Sequence, residues 1–77
     1  MNTQNYIIGY FHKNTNGRLQ LIDHEVTCGT QIEYFNRENE AYEWVPSRIE
    51  HTNGDYYIYD LPGIDPKKMK VRISEEK

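Results

Sequence analysis

The chain has 77 residues, 36% of them apolar, and a formal net charge of −3. That length admits one domain with a small core, and so mild a charge marks neither a nucleic-acid binder nor a DNA mimic. The single cysteine, Cys28, excludes an internal disulfide, and no run approaches the roughly 20 apolar residues that span a bilayer.

Seven tyrosines, two phenylalanines and one tryptophan offset the modest apolar content, because each ring offers a large area for burial. Aromatic and β-branched residues in regular alternation argue for a folded domain over a disordered chain. Small secreted domains usually carry several disulfides. The start Met1-Asn2-Thr3-Gln4-Asn5 lacks the basic and apolar regions of a signal peptide. The expected location is therefore cytoplasmic.

Period-two alternation recurs along the chain, and no segment carries a helical period. Tyr6-Ile7-Ile8-Gly9-Tyr10-Phe11 predicts a first strand, closed by Lys13-Asn14-Thr15-Asn16-Gly17. Asn-Gly tolerates positive φ and signals a hairpin, so Arg18 to Ile22 reads as the return strand. Asp23 to Gly29 reads as a polar loop, and Thr30 to Phe35 as a third strand with Ile32 and Tyr34 on one face. After a charged connection from Asn36 to Glu40, a fourth strand runs from about Tyr42 to His51. Pro46 removes a ladder donor within it, which requires a bend, a bulge or an edge there. Thr52-Asn53-Gly54-Asp55 predicts a second hairpin, returning through Tyr56 to Leu61. A turn and a short 3₁₀ segment at Pro66-Lys67 precede Met69-Lys70-Val71-Arg72-Ile73, whose apolar residues point one way. Residues 6–73 form the expected ordered core of a single domain spanning 1–77, with Ser74 to Lys77 a frayed tail.

Short strands of this kind must share a core, and closure hides their edges. The expected fold is all-β: a five- to six-stranded, closed or nearly closed small barrel, with Ile32, Val45, Ile49, Val71 and Ile73 inside.

The order of elements from Cys28 onward resembles an SH3-like barrel. Cys28-Gly29-Thr30-Gln31-Ile32 is similar to its glycine-led second strand, Trp44-Val45-Pro46 to its third, and the 3₁₀ turn before Val71-Arg72-Ile73 to its close. The acidic loop and Ala-Leu-Tyr-Asp-Tyr motif of eukaryotic SH3 domains are absent, so binding of proline-rich peptides does not carry over. Residues 18–73 resemble a family of small uncharacterised bacterial proteins, a domain of unknown function found in Firmicutes and on their mobile elements. The likeness rests on Cys28-Gly29, Trp44-Val45-Pro46-Ser47-Arg48-Ile49-Glu50, Gly54, Tyr56 to Tyr59, Leu61-Pro62-Gly63 and Val71-Arg72-Ile73. It implies a fold-sized unit and brings no activity, cofactor or catalytic residue with it.

Alternation puts Tyr42, Trp44 and Arg48 on one face of the fourth strand and Val45, Ser47 and Ile49 on the other. With the latter three inside, the first three form an outward aromatic-cationic patch, joined by Tyr57 of the neighbouring strand. Trp, Tyr and Arg are enriched at binding hot spots, which makes these four the candidate partner-binding residues. The competing reading has Trp44 plugging the open end of the barrel. Tyr57, Tyr59 and Leu61 share one side of their strand, and Tyr56, Ile58 and Asp60 the other; which side is buried stays open. Lys68, Lys70 and Arg72, projecting from one face of the last strand, and Lys67 just before it are the alternative candidates, for a nucleic-acid backbone; a solvated face that discourages edge pairing competes with that reading.

His12, His24 and Cys28 make a poor metal set, because structural zinc usually takes four convergent ligands. Cys28 reads instead as a small buried residue. No nucleophile–base set or phosphate loop stands out, so neither an enzyme nor a cofactor is expected. The expected partner is another protein, with no membrane association and the chain a monomer or weak homodimer.

Overall fold

The structure is a computed structural model that describes residues 5–37 and 42–75. The described residues form eight short strands: β1 (Tyr6–Gly9), β2 (His12–Lys13), β3 (Leu19–Leu21), β4 (His24–Glu25), β5 (Gln31–Asn36), β6 (Glu43–Thr52), β7 (Asp55–Ile58) and β8 (Val71–Ser74). A 3₁₀ turn, Pro66–Lys68, precedes the last strand. The fold is all-β, in two antiparallel sheets: five strands in the order β1-β8-β5-β6-β7 and three in the order β2-β3-β4. No described helix is long and apolar enough to cross a membrane.

The core lies between the sheets. Ile7, Leu19, Leu21, Ile32, Ile49, Ile58, Val71 and Ile73 converge there from six strands, joined by Phe11 and Val26 from the connections. Of the five residues expected inside, four are buried and Val45 is half-buried. Full burial of an Ile or Val side chain contributes about 1.5–3 kcal/mol, so this cluster supplies most of the driving force.

The first predicted strand, Tyr6 to Phe11, ends at Gly9, and a further strand, β2, takes in Lys13, where the closing turn is expected. β1 pairs with β8, with Ile7 opposite Ile73; the chain then turns inward at Phe11, and β2 pairs with β3 in the other sheet. One segment thus ties both sheets to the same core. The loop expected from Asp23 to Gly29 contains β4, which forms a tight hairpin with β3. Val26, the single apolar residue of its stretch, is drawn into the core while its N–H donates to the Leu19 carbonyl at 2.9 Å. Cys28, expected to be buried, is exposed. It occupies a turn in which the Thr30 N–H donates to the Thr27 carbonyl at 3.0 Å, and that turn holds it away from the core.

Pro46 sits opposite Glu33 in the β5–β6 ladder. Ile49 N–H points toward Thr30, whereas the Arg48 carbonyl accepts from Tyr59 on the other side. Alternation therefore aims the Pro46 nitrogen away from β5, where β7, which joins the ladder only from Ile49, has no partner to offer it. The strand tolerates the proline because that stretch is a local edge. The Asn53-Gly54 turn has positive φ at both residues, 51° and 84°, as a two-residue hairpin requires.

β7 ends at Ile58 rather than continuing to Leu61, because Tyr59-Asp60 turns and the Leu61 N–H donates back to the Ile58 carbonyl at 2.8 Å. The inward side of β7 is Tyr56 and Ile58, and the turn brings Leu61 back against the core. Ser74, placed in the expected tail, pairs with Tyr6; the tail's last two residues, and 38–40 of the charged connection, lie outside the described residues.

Ile22, first in the β3–β4 turn, has a φ of 57° and is 60% exposed. A β-branched residue pays a steric penalty in this left-handed region that asparagine largely escapes. Ile22→Asn is therefore expected to stabilise the domain by about 1 kcal/mol, read as a higher urea midpoint with unchanged slope; an unchanged or lower midpoint would contradict this.

Candidate functional site

The face of the five-stranded sheet opposite the core carries two arginines held in similar ways. Arg72 stands on β8 between Ile8 of β1 and Glu33 of β5. Its guanidinium carbon lies 3.8 Å from the Tyr6 ring centroid and 4.5 Å from that of Trp44, and its Nε donates to Glu33. The register explains the convergence: Trp44 is paired with Phe35, two residues beyond Glu33 on β5, and Tyr6 is two residues before Ile8. Phe35 packs at 5.2 Å from Trp44 and stacks at 6.3 Å on Tyr42. A row of Tyr42, Phe35, Trp44, Arg72 and Tyr6 therefore crosses the sheet, with Lys70 Nζ 5.8 Å from the Phe35 centroid.

Arg48 is held by Tyr59 and Glu50. Its guanidinium lies 3.8 Å from the Tyr59 centroid, and Nε donates to Glu50 Oε2 at 2.6 Å. The Tyr59 N–H donates to the Arg48 carbonyl at 2.8 Å, which places the ring beside that strand. The other oxygen of Glu50 accepts from Cys28 Sγ at 3.5 Å. The Arg48 bond, followed by the Cys28 bond, holds the Glu50 carboxyl below its ordinary range. Arg48 is raised correspondingly, chiefly by its hydrogen bond to Glu50.

A cleft of about 590 Å³ opens between the two arginines, bordered by Tyr6, Glu33, Pro46, Arg48, Tyr59 and Arg72. A second groove, of about 500 Å³, lies where Tyr57 faces Pro62, Ile64 and Lys67. Among the described residues, no group of three or more His, Cys, Asp or Glu side chains could hold a metal ion.

The sequence pattern of a domain of unknown function, DUF5348, matches residues 6–73. The chain belongs to that family. No curated protein and no solved structure matches it.

Within this DUF5348 domain, the residues expected to bind a partner are split between two places. Tyr42 and Trp44 belong to one row, each packed on Phe35. Arg48 lies two residues beyond Pro46, with its own tyrosine, and Tyr57 lines the second groove opposite Glu50 in register. Trp44 is half-buried on the outer face, where its neighbours are Phe35 and Arg72.

Lys68 is not on the strand face expected for it with Lys70 and Arg72. Lys67 and Lys68 belong to the 3₁₀ turn, where Lys67 Nζ pairs with Asp65 at 3.2 Å; Lys70 lies by Phe35; Arg72 is stacked and paired. Sequence reasoning missed Phe35 and Tyr6 as site residues. Phe35 had a signal, since it falls on the same strand face as Gln31 and Glu33, an aromatic ring among polar neighbours.

Among the described residues, Glu50 is one of three carboxyls held low. Glu25 is lowered first by the Asn14 side chain and then by Arg18, and Asp65 first by the Lys67 backbone N–H. A carboxyl depressed on folding contributes stability above its unfolded value and loses it as pH falls through the folded one. Stability should therefore hold near neutrality and decline once pH drops below 4.5, the ordinary glutamate value. Glu25→Gln combined with Glu50→Gln should flatten that decline in urea midpoints measured across acid pH; an unchanged slope would contradict the assignment.

Proposed function

We propose that the chain is a non-catalytic protein-interaction module that captures its partner with the outer face of the five-stranded sheet. The observation that supports this reading is the row Tyr42, Phe35, Trp44, Arg72 and Tyr6. Its residue types dominate binding hot spots, where large area is combined with a polar handle. They are already stacked on one another, so a partner need not order them, and preordered side chains lower the cost of association. Tyr42 is 64% exposed at the end of the row. The place of such a module would be that of an accessory factor on a bacterial mobile element, as the family likeness implies.

The nucleic-acid reading has weaker support. Lys67 and Lys68 sit on the 3₁₀ turn, with Lys67 paired to Asp65, and Lys70 lies over Phe35, so these cations do not line up along a phosphate backbone.

Affinity capture of the tagged chain from its host tests the proposal. Trp44→Ala and Tyr42→Ala should each weaken capture of the same partner about tenfold or more, with the β-sheet circular dichroism retained. Tyr42→Ala removes an exposed ring and is expected to fold even if Trp44→Ala does not. Undiminished capture by folded Tyr42→Ala and Trp44→Ala variants would overturn the reading, as would a gel shift with DNA or RNA at low salt that depends on Lys67 and Lys68.

A further inference from the structure

We infer that the cleft between Arg48 and Arg72 recognises an extended acidic segment of a partner protein, each arginine receiving one carboxylate. This rests on the sheet-face reading above and adds the chemistry of what binds there.

Both guanidiniums are fixed in the same manner. A tyrosine lies over each, Tyr59 for Arg48 and Tyr6 for Arg72, which Trp44 also flanks, and a glutamate takes Nε, Glu50 and Glu33 respectively. A guanidinium carries five N–H donors in a rigid fork, so engagement of Nε leaves the Nη nitrogens with donor capacity. Planarity and prior stacking suit them to a carboxylate, which the fork can meet with two parallel hydrogen bonds. Both arginines border the same cleft, with the exposed Pro46 as an apolar element of its wall.

The register sets the spacing. Arg48 is paired with Gln31 on one side of β5, and Arg72 with Glu33 on the other. Their backbones are thus offset by two strand spacings and two residues, about 12 Å. An extended peptide covers that span in about four residues, and residues four apart project from the same side. The matching ligand carries two acidic side chains at that interval. A continuous polyanion fits less well, because Glu33, Glu50 and Asp60 surround the arginines and the whole chain is negative. Two discrete carboxylates can approach the forks without lying along those acids.

The test uses the full chain and a fluorescein-labelled Gly-Ser peptide bearing two glutamates about four residues apart. Binding is read by anisotropy and, with an unlabelled copy, by the fluorescence of Trp44, the only tryptophan, which touches Arg72. The expected result is saturable binding at low salt, weakened about tenfold or more when both glutamates are replaced by glutamine, or when Arg48→Gln is introduced. The Arg48 side chain is 47% exposed, so this variant should fold; Arg72→Lys, which keeps the charge but loses the fork, should also weaken binding.

Absence of saturable binding at low salt would overturn the inference, as would equal binding of the glutamine peptide, unaltered affinity of folded Arg48→Gln, or tighter binding of an oligonucleotide at the same cleft. Partner capture that still depends on Tyr42, together with no acidic-peptide binding, would remove this ligand chemistry while leaving the sheet-face reading standing. Loss of both would remove both.

Discussion

The guanidinium of Arg72 joins four strands on the side of the sheet that the core does not reach. It rises from β8, lies between Tyr6 of β1 and Trp44 of β6, and is tied through Nε to Glu33 of β5. A charged group in that position has to satisfy two demands at once, covering apolar ring faces and keeping its charge matched. Arginine meets both, because its flat, weakly hydrated cation stacks while its edge donates hydrogen bonds. Only 20% of its side chain is exposed, so solvent screens the arrangement less than it would an open surface pair.

Magnitudes separate the roles of the two faces. A cation over a ring contributes about 0.5–1 kcal/mol at an exposed site and about 2 when desolvated, comparable to a single buried aliphatic side chain. The ten described apolar residues buried between the two sheets therefore decide whether the domain folds. Arg72 decides how the outer aromatic rings are aimed. Arg48 repeats the device at the far side of the cleft with its side chain 47% exposed, which makes it the looser of the two. The sheet offers one fixed and one adjustable cation across a single strand.

Much of this was legible in the residues. Period two gave the outer placement of Trp44 and the inner placement of Ile49, and Asn53-Gly54 marked its hairpin, because these signals are local and need no knowledge of the partner strand. The cleft was not legible, since it depends on which strands become neighbours. Nothing in the residue order places Tyr6 beside Arg72, a separation of nearly the whole chain that only the β1–β8 pairing closes. The same holds for Arg48 and Tyr59, which meet because β7 ends in a turn rather than running on. β4 is not legible because one buried valine in a polar stretch establishes no period, and Cys28 is exposed, against the burial tendency of a small thiol, because its turn holds the side chain outward.

The most direct test of the Arg72 arrangement is a double-mutant cycle between Arg72→Met and Trp44→Leu, followed by urea unfolding at neutral pH. A coupling of about 1 kcal/mol between the two changes is expected if the guanidinium and the indole hold each other in place. Additivity to within about 0.3 kcal/mol would show that they do not interact, and the preordered outer face would then have lost its anchor.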